Sequence, residues 1–458
     1  MSSSTKSLLV RKIIHPLQEF VEAEAFSGIL LMAVTVAALA WANSPWGESY
    51  INTWNTYFTI AFGEHGLSKP AILWINDGLM AIFFFVVGLE IKREILTGEL
   101  ASFRNAAFPV VAAIGGMLVP AGIYYLLNQN TGSAGGWGIP MATDIAFALG
   151  ILTLLGNRVP LPLKLFLLAF AIVDDIGAVL VIAIFYTSEV NFLALYIGTL
   201  VFGVLLVLNA LGVRSIWIYV LLGIILWVAF LKSGVHATIA GILLALTIPA
   251  RSKTTEQEFI TSTDNVLGEL HAVHMIKNPD LSEEEEATEE DFQAAVHTIE
   301  ANCEEALSPL RRLEHSMHPW VAYLIMPVFA LSNAGLLIDA DLLNEFNNPV
   351  VLGIILGLVL GKPIGIILFT WLASVTGLAA KPASISWGQV TGAGLLGGIG
   401  FTMSIFIANL AFEDSVYLAT AKLGILSASL IAGLLGYLLL VFATKKTPAP
   451  KELAHKQP

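Results

Sequence analysis

Asp174 and Asp175 stand side by side in Ala171-Ile-Val-Asp-Asp-Ile-Gly177, near the middle of an apolar run from Leu161 to Thr187. An ionisable group at that depth of a bilayer costs roughly 2.5–3.5 kcal/mol even on the lenient insertion scale, so two together need a function or a partner. Neighbours on a helix are offset by about 100°, which lets one carboxylate face a cavity and the other an adjacent helix. Lys362, in Leu358-Val-Leu-Gly-Lys-Pro-Ile-Gly365, is the deep cation and the natural counter-ion for one of them. Asp144, beside Thr143 in Ala142-Thr-Asp-Ile-Ala-Phe-Ala-Leu-Gly150, is a further carboxylate inside an apolar stretch. Two adjacent carboxylates with one lysine leave a negative excess that a cation or a proton must meet. Carboxylate oxygens suit a hard cation, and the protons belong to the coupled pair as a unit. If such a site alternates between two faces, protons and a small cation are exchanged without a separate energy source. The plainer alternative is a static polar network that fixes helix packing.

What positions these groups is a membrane. Of 458 residues, 56% are hydrophobic and 13% charged, with a mean hydropathy of +0.77. A soluble domain carries about 25% charged residues, so this chain cannot cover a water-exposed surface. Apolar runs near the ~20 residues needed to cross a bilayer place helices at 25–43, 71–90, 105–127, 141–156, 161–187, 191–211, 215–231, 234–249, 319–338, 350–378, 387–412 and 417–443. The expectation is an all-α polytopic membrane protein with about 12 transmembrane helices. They fall into residues 25–250, carrying helices 1–8, and 319–443, carrying helices 9–12.

Positively charged flanks stay cytoplasmic. With the N-terminus inside, Lys92, Arg93, Arg104, Arg158, Arg214, Arg251, Lys253, Arg311, Arg312 and Lys381 fall in inner connections, and only Lys69 and Lys232 in outer ones. Residues 1–24, with Lys6, Arg11, Lys12 and His15, and the tail 444–458, with Lys445 and Lys446, are therefore expected in the cytoplasm, and no cleaved signal peptide is expected. Between Arg251 and His318 lie 16 acidic and 5 basic residues, leaving 19 and 18 elsewhere, so −11 of the net charge of −12 belongs to one segment. Residues 251–318, with Glu283–Glu286, are expected as an acidic cytoplasmic loop holding at most a short helix near 284–306. The balanced remainder has no basic stripe for nucleic acid, and the single Cys303 permits neither an intramolecular disulfide nor a cysteine metal cage. The outer connection 44–70 is β-branched and aromatic over Tyr50–Ile60, which reads as a strand or hairpin or as an ordered aromatic loop.

Two spans are interrupted. Gly135-Gly-Trp-Gly-Ile-Pro140 leads into helix 4, and the Gly-rich run Thr391–Ser404 lies within helix 11. Non-helical backbone is tolerated at depth only where lipid is excluded. The units at about 105–187 and 350–443 start from opposite faces, which predicts two inverted three-helix repeats containing interrupted helices 4 and 11. At a break the partial charges of half-helix ends meet; for Asp144 and Lys362, neutralising that crossing and ligating an ion are equally good readings. Pro363 is expected to bend its helix.

Weaker motifs carry less. Gly357-Leu-Val-Leu-Gly-Lys-Pro363 differs from a phosphate loop in its glycine spacing and in having Pro for Ser/Thr, which excludes an ATPase. His271 with His274, and His315 with His318, read as solvated histidines; His236 reads as a hydrogen-bonded packing residue. Glu90 to Glu94 and Arg311 to His315 form opposite-sign clusters at inner helix ends, as interfacial anchors or as a pH-sensitive ion-pair network.

The motifs Trp74-Ile-Asn-Asp-Gly-Leu-Met-Ala81, Val87-Gly-Leu-Glu-Ile-Lys-Arg-Glu94, Ala142–Gly150, Ile172-Val-Asp-Asp-Ile-Gly177, Lys232-Ser-Gly-Val-His-Ala-Thr238, Arg312-Leu-Glu-His-Ser-Met-His-Pro-Trp320, Gly361-Lys-Pro363 and Gly398-Ile-Gly-Phe-Thr-Met-Ser404 resemble those of bacterial NhaA-type sodium/proton antiporters. That family is itself among those from which the inverted-repeat pattern is known. The resemblance implies a secondary transporter, not an enzyme, exchanging cytoplasmic Na+ or Li+ for more than one external proton, electrogenically and with alkaline activation. It implies cation (Na+) and proton binding at Asp174 and Asp175, a salt bridge or charge compensation by Lys362, compensation of the helix-4 crossing by Asp144 and Thr143, and pH sensing near Glu90 and Glu314. It further implies a homodimer held partly by the outer hairpin, residence among the lipids of the bacterial inner membrane, a role in sodium and pH homeostasis, and no cofactor. The acidic segment 251–318 is longer than this family's connection and adjoins Glu314. A cation channel, or an exchanger for another cation such as K+, is the alternative; a channel would need a continuous polar file, whereas these polar groups converge at mid-depth.

Overall fold

The computed structural model describes residues 26–62, 65–187, 190–275 and 289–444. Lys6, Arg11, Lys12, His15, Glu283–Glu286, Lys445 and Lys446, and the side chains of His271 and His274, lie outside the described residues.

Among the described residues, seven helices are long and apolar enough to cross a membrane: Ala71–Thr97, Phe103–Asn128, Ala134–Leu154, Leu161–Phe185, Phe192–Ala210, Pro349–Thr376 and Ser415–Ala443. Trp387–Gly397 and Phe401–Ala411, bent by 46°, make a broken span. Phe26–Ala42, Ile216–Leu231 and Thr238–Thr247 are further apolar helices. The chain is a multi-pass, predominantly α-helical membrane protein. Its helices start where short polar side chains satisfy the first free N–H groups: Asn191 accepts from Leu193 N and Ala194 N, Asn348 from Val350 N and Asp414 from Val416 N. Ser386 and Gln389 form a reciprocal capping box. Phe192–Ala210 has few buried residues and exposes Phe192, Leu193, Tyr196 and Leu200, the pattern of a helix with a lipid-facing side. By contrast Phe103–Asn128 packs closely on Pro349–Thr376, where a Cβ on Gly365 would collide with the carbonyl oxygen of Gly115.

Several sequence expectations change. The span expected at 141–156 enters as a 3-10 helix, Ala134–Met141, runs extended through Ala142–Asp144 and turns helical only over Ile145–Leu154. Glycines and Pro140 prevent an earlier α-helix. Residues 251–318 hold two helices, Glu256–Met275 and Glu289–Ala306, packed on each other, rather than one short helix near 284–306. Val266 and Ile299, half-buried at helical spacing from other such residues, supply a seam that net acidity obscures in the sequence. The helix expected from 319 begins at Pro309, capped by Ser308, and continues through a π turn at Val321–Ile325 to Asn333. Upstream of Pro363 the disturbance is a π turn, Gly357–Gly361, within one long helix, so the displaced carbonyls are absorbed over five residues. In the outer connection Gly47–Asn55 is helical, and the strands are Tyr57–Phe62 and His65–Pro70, paired antiparallel from Tyr57 opposite Pro70 to Phe62 opposite His65.

Candidate functional site

The two interrupted spans cross, and each satisfies the other's broken backbone. Thr143 Oγ1 donates to Gly397 O at 2.8 Å, Asp144 N to Ile399 O at 2.6 Å and Ser404 Oγ to Ile139 O at 2.7 Å. Asp144 Oδ2 accepts from Thr402 N at 3.0 Å and from Thr402 Oγ1 at 2.5 Å, while its Oδ1 accepts from Phe147 N at 3.0 Å. The carboxylate thus caps both following half-helices at their positive ends. Asp144, Thr143 and Thr402 are all buried.

Leu161–Phe185 packs against this crossing and carries the adjacent aspartates. Asp174 Oδ2 accepts a charge-assisted bond from Lys362 Nζ at 2.8 Å, with both side chains wholly out of solvent. The same ammonium donates to the carbonyl of Met141, the last residue before the chain becomes extended, and lies 5.9 Å from the centre of the Phe170 ring. Lys362 therefore joins the aspartate helix to the end of a half-helix, where carbonyl oxygens carry negative partial charge.

Asp175 points elsewhere. It lines a cavity of about 60 Å³, room for a few water-sized particles, together with Asp144, Thr143, Thr402, Glu90 and His318. Asp174 is absent from that wall, so the helical offset separates the two carboxylates as the sequence suggests. Asp175 Oδ1 and Asp174 Oδ1 are buried without a hydrogen-bond partner among the described residues. An orphaned carboxylate oxygen beside a cavity is costly unless something positive approaches it.

The sequence-predicted positions thus come together, with Glu90 on the wall of the same cavity. Glu314 stands apart, in an ion pair with Arg93, which also bonds Glu94 at 2.8 Å. Burial pushes the Glu314 carboxyl up, with the Arg93 guanidinium opposing. Three participants were not singled out from sequence: Thr402, whose signal was a hydroxyl in the glycine-rich run; the Met141 carbonyl, which side-chain reasoning cannot find; and His318, expected in solvent and placed half-buried on the cavity wall. His236 does bond a neighbour, Thr238 Oγ1, at 3.2 Å.

A model of the family described as Na+/H+ antiporter 1 matches residues 18–440. The Na(+)/H(+) antiporter NhaA of Oleidesulfovibrio alaskensis is 55% identical over 431 residues, covering 94% of each chain. Koribacter versatilis has a Na(+)/H(+) antiporter NhaA that is 49% identical, over 96% of this chain and 94% of its own. The Na(+)/H(+) antiporter NhaA 2 of Syntrophotalea carbinolica is 48% identical, over 94% and 97%. Crossed broken helices, a buried aspartate–lysine pair and near end-to-end similarity agree, and the chain belongs to the Na+/H+ antiporter 1 family, a transporter of Na+ and H+ rather than a catalytic enzyme.

Proposed function

We propose that the protein is an electrogenic secondary antiporter that carries Na+ or Li+ out of a bacterial cell against more than one entering proton, is activated at alkaline pH, and serves sodium and pH homeostasis from the inner membrane. The observation that carries this reading is the orphaned, buried Oδ1 of Asp175 on the wall of a cavity also lined by Glu90 and His318. Asp175 takes the cation or a proton, and Asp174 contributes when its bond to Lys362 loosens. Asp144 and Thr143, already bonded across the crossing, hold the broken helices together and balance their end charges. The two species compete for the same oxygens, so the site is loaded with one or the other on each face. The reading includes twelve spans in two inverted repeats, cytoplasmic termini, pH sensing through Glu90 and Glu314, and a homodimer in which the Tyr57–Phe62 and His65–Pro70 hairpin pairs with its counterpart.

The test is sodium-induced collapse of a preformed pH gradient in everted vesicles, from about pH 6.5 to 8.5. Dissipation by the wild type, stronger at alkaline pH and absent in Asp175→Asn, is expected. Undiminished collapse in Asp175→Asn moves the ion site elsewhere. Passive conductance in place of saturable turnover would favour the channel.

A further inference from the structure

Beyond the cavity residues, along the helices in the direction away from Glu90 and His318, lie two layers, and the same three helices build both. Phe84, Phe329 and Phe406 form the first: Phe84 and Phe406 have ring centroids 5.4 Å apart, Phe329 and Phe406 6.2 Å, and all three are buried. Asn76, Asn333 and Asn409 form the second. Asn76 and Asn333 exchange amide bonds, Nδ2 to Oδ1, at 3.3 and 2.9 Å, and Asn409 Nδ2 donates to Asn333 Oδ1 at 2.8 Å. On two of the helices the order is cavity residue, phenylalanine, asparagine, as Met326, Phe329, Asn333 and Met403, Phe406, Asn409; on the third, Val87 and Phe83 on the cavity wall flank Phe84, and Asn76 lies about two turns further on. At 1.5 Å per residue, Asn76 lies about 21 Å from Glu90 along one helix and Asn333 about 22 Å from His318 along another.

A permanent helix contact at this depth needs no amides, since apolar groups of the same shape would serve as well. Neutral amide bonds have a different property: water replaces them at small net cost, so a contact made from them can part and re-form. Asn76 also sits in the π turn Ile75–Leu79, a local irregularity of the kind found at functional sites. We propose that Asn76, Asn333 and Asn409 are the latch of a gate that closes the path from Asp175 to the membrane face on their side, with the mouth of the site on the side of Glu90 and His318. Asn333 bridges the other two, and its release parts the phenylalanine layer. The inference rests on the alternating site described under the proposed function.

Cys303→Ser removes the only cysteine, and Met403→Cys then places one reporter thiol on the cavity wall. In sealed vesicles of known orientation, a membrane-impermeant thiol reagent added on the latch side should modify this reporter slowly. Asn333→Ala should raise that rate about tenfold and lower modification from the mouth side, because the balance of the two states shifts. Asn409→Ala, which leaves the Asn76–Asn333 exchange in place, should raise it less and serves as the second variant if Asn333→Ala does not fold. Unchanged rates from both sides in a folded variant would overturn the latch. Exchange is measured separately in the Cys303→Ser parent: its absence sinks the transport reading, whereas the labelling rates decide the latch by themselves.

Discussion

Asp144 and Asp175 border one cavity, yet they belong to differently finished regions. At the helix crossing, Asp144 accepts from Phe147 N, Thr402 N and Thr402 Oγ1. On the aspartate helix, Asp175 Oδ1 accepts nothing from the described residues. A carboxylate surrounded by fixed donors is stabilised in its charged form by the fold itself and has little to gain from an incoming ion. One without donors remains in deficit until a cation or proton arrives. Equal burial therefore hides opposite hydrogen-bonding states, the difference on which the proposed division into an architectural and a binding carboxylate rests, and Asp174 lies between them, held by Lys362 through one oxygen and orphaned at the other among the described residues.

Substitutions test the contrast in descending order of effect. Asp175→Asn should abolish sodium-driven dissipation of the pH gradient while leaving detergent-solubilised protein as heat-stable as the parent; retained exchange would break the comparison at once. Lys362→Ala strands the Asp174 carboxylate and should cost about 3–5 kcal/mol of stability, the penalty of an uncompensated buried charge. Adding Asp174→Asn should recover much of that loss in thermal denaturation, though not the exchange. Thr402→Val removes a hydroxyl donor from Asp144 and should cost about 1–2 kcal/mol, with transport reduced in proportion to folded protein; loss as complete as for Asp175→Asn would show that the crossing binds the ion as well.

Glu314 extends the comparison to the region before the apolar part of its helix. Because burial raises its carboxyl above the usual range, it holds its proton at pH values where an unfolded glutamate has lost it. Its contribution to stability accordingly falls as pH rises from the free towards the raised value. The charged ion pair with Arg93 is completed only above that window. Glu314→Gln should pull activity at alkaline pH down towards the acidic level, giving a flatter profile in the vesicle assay. The smallest effect is expected at the base of the acidic hairpin, where the exposed Lys253–Glu305 pair should change stability by no more than about 0.5 kcal/mol when Lys253 is replaced by Ala, as read from thermal unfolding.

Where the controlling energy is local, the sequence was legible. Each apolar residue contributes to membrane insertion on its own, so the runs around Leu161–Phe185 and Pro349–Thr376 were visible from composition. Glycine and proline weaken a helix wherever they occur, so the breaks near Asp144 and Gly398 were visible too. Asp174, Asp175 and Lys362 stood out because charge in an apolar run is expensive at any neighbour's expense. The hairpin seam at Val266 and Ile299 and the early start at Pro309 were obscured, because flanking charges outweigh a thin apolar stripe in any window average. What only the tertiary structure decided is which partner each charge found: Thr402 for Asp144, the Met141 carbonyl for Lys362, and, among the described residues, no donor for Asp175 Oδ1. These contacts join residues as many as 258 positions apart, and a hydrogen bond depends on a few tenths of an ångström and on angle, neither of which is written in the spacing of residues along the chain.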